Sequence, residues 1–212
     1  MKGWDIRSEK DLQALWLNVG DVPRRTEGRT HKQYERYYVV LYLLALADHG
    51  LLTYPLTVEE GESPDFILRW ECGETIGLEI TRATDKELQR WIARAEKEHP
   101  EGSVMTASLC GYAEDQLEKQ WCELVRNTIE AKVPKLGSFK PASRYDLLVP
   151  DDTRMGPGDR QKVFAELAPW ANELRRRTPN MGKVSVAVSL DILYDFGGER
   201  RNLVGTTAAG LG

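Results

Sequence analysis

The sequence predicts an α/β protein with a mixed central β-sheet flanked by helices, and three observations predict it. An apolar, helix-periodic segment fills residues 31–49. Two short apolar runs follow at 65–70 and 75–83, joined by a Gly-containing turn, as in a hairpin. Later strand-like runs, at 144–150 and 183–196, are each preceded by a helical segment. A hairpin early and helix-separated strands later require antiparallel and parallel pairing in one sheet, with helices on its faces.

Residues 1–19 read as a short amphipathic helix carrying Trp4, Leu12, Leu15, Trp16 and Val19, and residues 20–30 as a loop. In the helix at 31–49, Tyr34, Tyr37, Tyr38, Leu41, Tyr42 and Ala45 repeat at i, i+3, i+4 and i+7. Thr30 can cap its start and Gly50 its end. Its second half is apolar nearly all round, which predicts burial on more than one side. Residues 51–59 read as an edge strand, because Pro55 removes a ladder donor. The hairpin strands follow, and Thr84 and Asp85 then cap a helix at about 85–98. A long helix at about 108–133 is closed by Pro134. A strand at 144–150 leads into the turn "DDTRMGPGD", a helix spans 160–177, and 183–196 is one strand or two. The chain thus divides into an N-terminal helix and loop (1–30), one α/β domain (31–200) and a flexible tail (201–212).

Composition narrows the function. The 212 residues are 41% apolar and 29% charged, enough for one sizeable core. No apolar run reaches the ~18 residues of a membrane span, and "MKGWDIRSEKDLQALW" has no signal-peptide pattern. Cys72, Cys110 and Cys122 form no C-x-x-C pair, so neither a disulfide framework nor a zinc knuckle is indicated, and a cytoplasmic setting is expected. The formal net charge of -4 gives no global field attracting nucleic acid, although "RRTEGRTHKQYER" (24–36) and "ELRRRTPN" (173–180) are locally basic. His31, His49 and His99 have no ligand-like spacing. No G-x-S-x-G, Walker or G-x-G-x-x-G motif occurs.

The chemistry concentrates in "SPDFILRWECGETIGLEITRAT" (63–84), where Asp65 and Glu79 stand on opposite strands of the hairpin. A three-residue turn at 72–74 pairs Glu71 with Thr75 and Asp65 with Thr81. Asp65, Glu79 and Thr81 then share a face, with the two acids diagonal to one another. Two carboxylates so placed can share one hard divalent cation. A two-residue turn would send Glu79 to the other face. A carboxylate inside an apolar strand needs a cation or a hydrogen-bond set. The alternative to a metal is neutralisation by Arg69 or Arg82.

"PDF" followed by "EIT" resembles the signature of the PD-(D/E)XK nuclease superfamily, whose fold is the restriction-endonuclease-like one. In that family a helix precedes a three-stranded meander. The Asp of the Pro-Asp pair opens the second strand, and an acid-X-Lys tripeptide lies on the third. The resemblance covers residues 31–98 and implies a core ordered α-β-β-β-α-β-α-β. It implies Mg²⁺ or Mn²⁺ held by Asp65, Glu79 and the carbonyl of Ile80, with Glu35 where some members carry an additional acid. It implies a phosphodiester-hydrolysing enzyme acting on nucleic acid, DNA first, with a homodimer or a protein partner left open. The family lysine is replaced by Thr81, and Lys86, one turn into the next helix, is the expected stand-in. Without such a lysine, the same resemblance implies a catalytically degenerate module that binds DNA or a protein.

Overall fold

The computed structural model describes residues 3–19, 28–84, 90, 93–94, 97–98, 117–139, 142–150, 160–189, 192–195 and 202–204. The strands are β1 (Gly3–Ile6), β2 (Leu56–Glu60), β3 (Phe66–Trp70), β4 (Thr75–Ile80), β5 (Arg144–Pro150), β6 (Met181–Ser189), β7 (Ile192–Asp195) and β8 (Asn202–Val204). The helices are α1 (Glu9–Val19), α2 (His31–Asp48), α3 (Leu117–Lys132) and α4 (Arg160–Arg177), with a 3-10 turn over Val133–Ser138. One open mixed sheet runs in the order β1 to β8. Pairing is antiparallel from β1 to β4, parallel from β4 through β5 to β6, and antiparallel again to β8.

Side-chain alternation divides the core into two layers. Phe66, Leu68, Ile76, Leu78 and Ile80 point to the face covered by α1 and α2, against Leu12, Val39, Val40 and Leu43. Leu147, Val149, Val184 and Val186 point to the other face, against Trp121, Val125 and Ile129 of α3 and Val163 and Leu167 of α4. Leu43, Leu68 and Leu78 are at most 1% exposed, and each contributes about 1.5–3 kcal/mol by burial. The helix apolar nearly all round is thus α2, packed between the sheet and α1.

Capping fixes where α2 begins. The Thr30 side chain accepts from Gln33 N–H, and the Gln33 side chain accepts from Thr30 N–H, closing a capping box. At the far end Gly50 has φ 64, a left-handed conformation that suits glycine.

Several expectations are corrected. The first residues form β1, not helix: Gly3–Ile6 pair with Leu56–Glu59 of β2, and the helix starts only at Glu9. β2 is therefore an inner strand, and Pro55 precedes it rather than sitting in its ladder. Of the two alternatives for 183–196, the structure has two strands, as the sequence allowed, whereas Asn202–Val204 of the expected tail pair with β7. The long helix is described from Leu117 and ends at Lys132, before the 3-10 turn that contains Pro134. Residues 108–116, the turn at 151–159, most of the helix at 85–98 and the rest of the tail lie outside the described residues.

Candidate active site

The hairpin loop decides where the acids fall. Arg69 pairs with Thr75, Leu68 with Ile76, Ile67 with Gly77 and Phe66 with Leu78. Trp70 N–H donates to Glu74 O (3.0 Å) and Gly73 N–H to Trp70 O (3.0 Å), leaving Glu71, Cys72 and Gly73 as the loop. Gly73 has φ 89, the left-handed position of a three-residue hairpin loop. The turn thus lies one residue earlier than expected. The pairing slips by two, which keeps the parity. One step past the Phe66–Leu78 pair, Asp65 stands directly opposite Glu79 rather than diagonal to it.

Both acids are buried, Asp65 to 8% exposure and Glu79 to 4%. Asp65 Oδ2 accepts from Ile80 N–H at 2.9 Å. The loop before Asp65 is tight: Gly61 N–H donates to Asp65 O (2.8 Å), and a Cβ on Gly61 would lie 2.4 Å from Pro64 O. On β4, Gly77 serves the same closeness. A Cβ there would lie 2.6 Å from the Tyr145 ring and 3.0 Å from Pro64 Cγ. Glu79 Oε1 is ion-paired with Lys132 Nζ, while the buried Oε2 has no hydrogen-bond partner. Burial, then the facing Glu79, push the Asp65 carboxyl up to about 7, against the pull of the Ile80 N–H.

An open cavity of about 310 Å³ lies at this end of the hairpin, lined by His31, Tyr34, Glu35, Asp65, Ile80, Thr81, Arg82 and Lys132. Glu35, 2% exposed on α2, is held by His31 Nδ1 (2.5 Å) and Lys32 Nζ (2.8 Å). Lys32 also donates to Gly61 O at 2.8 Å. The Arg82 guanidinium lies 3.5 Å from the centroid of the Tyr34 ring, and that of Arg29 lies 5.2 Å from it, a stacked arrangement that gathers positive charge on the cavity wall.

The expected cations fare differently. Arg69 pairs with Glu59 (3.0 Å), away from the acids. Arg82 lines the cavity, two residues past the end of β4 at Ile80, where strand alternation no longer governs it. Lys86 lies outside the described residues. The cation on Glu79 is Lys132, at the last residue of α3, which sequence reading missed. Of the basic segment, Lys32 is tied to Glu35 and Arg36 grips Glu60 through two bonds of 2.5 and 2.9 Å. Arg24 and Arg25 lie outside the described residues. The basic run at 173–180 provides cations in the last turn of α4, where Arg176 pairs with Glu173 (2.9 Å).

Among the described residues no three His, Cys, Asp or Glu side chains group to hold an ion. What is available is a facing pair of carboxylates, with Glu79 Oε2 buried and unpartnered. Asp65 has one oxygen outside its bond to Ile80. Such a sparse, all-oxygen set fits Mg²⁺, which binds through one or two carboxylates and fills its octahedron with water and phosphate oxygens. Compared with protein-family models, with curated proteins and with solved structures, the chain gives no match.

Proposed function

We propose that the cavity is the site of divalent-cation-assisted phosphodiester hydrolysis on nucleic acid, in a protein of PD-(D/E)XK type. The observation that carries it is the buried pair of Asp65, on the wall of an open cavity, and Glu79, one step past the Phe66–Leu78 pair and bound to the cavity-lining Lys132. Support at the level of the fold comes from α2 preceding the β2–β3–β4 meander, with Asp65 opening the second strand and Glu79 on the third.

Bound between the acids, Mg²⁺ or Mn²⁺ would supply Lewis-acid polarisation of a phosphoryl oxygen and a lowered pKa for bound water. Asp65 and Glu79 hold it, and Ile80 N–H fixes the Asp65 carboxylate. Thr81 has no charge to offer the phosphate. Lys132 has, and its side chain is half-buried on the cavity wall. A preorganised cation aimed at developing charge is worth roughly 3–4 kcal/mol.

A second reading draws on the same ion pair. Lys132 neutralises Glu79 within the fold, as a degenerate, non-catalytic module binding DNA or a protein would allow. Cleavage assays separate the two. Wild type should cut DNA or RNA with Mg²⁺ or Mn²⁺, Asp65→Asn should fall to background, and Lys132→Ala should lose about two orders of magnitude. Absence of cleavage by folded wild type on both polymers with both ions leaves the binding module.

A further inference from the structure

The cavity contains an ionisable pair that cation binding does not use. His31 is the first residue of α2, and Glu35 lies one turn further on. His31 Nδ1 is 2.5 Å from Glu35 Oε1. The two side chains differ sharply in setting, His31 being 70% exposed and Glu35 only 3%. The other Glu35 oxygen lies 2.8 Å from Lys32 Nζ, and Lys32 is anchored in turn on Gly61 O. A buried carboxylate therefore holds one nitrogen of an imidazole at the rim of the cavity that Asp65 and Lys132 also line. The second ring nitrogen, Nε2, has no protein partner among the described residues.

This is the geometry of an oriented acid–base group. The carboxylate fixes the proton on Nδ1 and sets the ring plane. The capping box at Thr30 holds the first turn of α2 and with it the His31 backbone.

We propose that His31 is the general acid of this site, donating a proton from Nε2 to the leaving oxygen of a phosphodiester, and that Glu35 is its positioning residue. The proposal rests on the phosphodiester reading above and specifies its substrate as an ester with an alkoxide leaving group, as in a polynucleotide backbone. In the step, a water oxygen bonds to phosphorus as the bond from phosphorus to the ester oxygen breaks. The ester oxygen takes the Nε2 proton and departs as an alcohol. The water proton passes to solvent through the open cavity, and the neutral imidazole is reprotonated from solvent.

Leaving-group dependence tests it. An alkoxide needs the proton, whereas p-nitrophenolate leaves without one. His31→Ala should lower metal-dependent cleavage of a polynucleotide about 100-fold, at the low end of what general acid catalysis contributes. It should leave hydrolysis of bis(p-nitrophenyl) phosphate within a few-fold of wild type, with the cation-induced rise in melting temperature unchanged. Glu35→Gln should show a smaller loss with the same selectivity. An equal loss on both substrates, or no loss on the polynucleotide, overturns the role of His31 while leaving the phosphodiester reading intact. A wild type inactive on both substrates removes that reading and this proposal together.

Discussion

Asp65 is the buried acid of the proposed cation site, and its ionisation is coupled to folding. Its carboxyl is pushed from 3.8 up to about 7 by burial and by Glu79. The folded chain therefore holds this proton more tightly than the unfolded one. Its contribution to stability is present below about pH 4 and is lost as pH rises towards about 7, after which it is constant. A shift of this size corresponds to at most roughly 4 kcal/mol. Asn at this position keeps an oxygen for Ile80 N–H and cannot ionise. In denaturant titrations of metal-free protein, Asp65→Asn should lose less stability than wild type between pH 4 and 8; parallel curves would mean that Asp65 ionises freely. Two neighbours were harder to find from sequence. Lys132 is 53 residues from Glu79, so no local spacing connects them. His31 has no ligand-like spacing to the other histidines, although its i, i+4 relation to Glu35 on a capped helix is visible in the sequence.

Among the elements, the hairpin does most to position the proposed site, and its parity was open in the sequence, because two-residue and three-residue turns put Glu79 on opposite faces. The choice between loops 71–73 and 72–74 turned on the left-handed position falling to Gly73, a matter of backbone conformation. The wrong reading of β2 as an edge had a similar origin. The partner, β1, is only four residues long, too short for its alternation to stand out from the helix that follows. Close approach of β4 to β5 depends on Gly77, paired with Tyr145. Gly77→Ala forces a methyl group to within 2.6 Å of the Tyr145 ring and 3.0 Å of Pro64, next to Asp65. Overpacking of this kind costs about 1–3 kcal/mol. The variant should melt several degrees lower and respond less to divalent cations; an unchanged melting temperature would mean that Tyr145 swings aside freely.

At the scale of the molecule, a chain of net charge -4 lines one cavity with His31, Arg82 and Lys132 beside the buried acids Glu35 and Asp65. No described helix is long and apolar enough to cross a membrane. The α/β class and mixed sheet were readable from the order of periodic segments. The joining of the terminal strands β1 and β8 to that sheet was not, since pairing of short strands is decided by partners distant in sequence. The most direct test concerns the two facing acids. Metal-free wild type, Asp65→Asn and Glu79→Gln are melted over a series of Mg²⁺ and Mn²⁺ concentrations. A cation held by both acids stabilises only the folded wild type, by about 2.7 kcal/mol at 100 times the dissociation constant, and either substitution should abolish most of that rise. Equal shifts in all three proteins, or none in the wild type, would contradict a divalent site at Asp65 and Glu79.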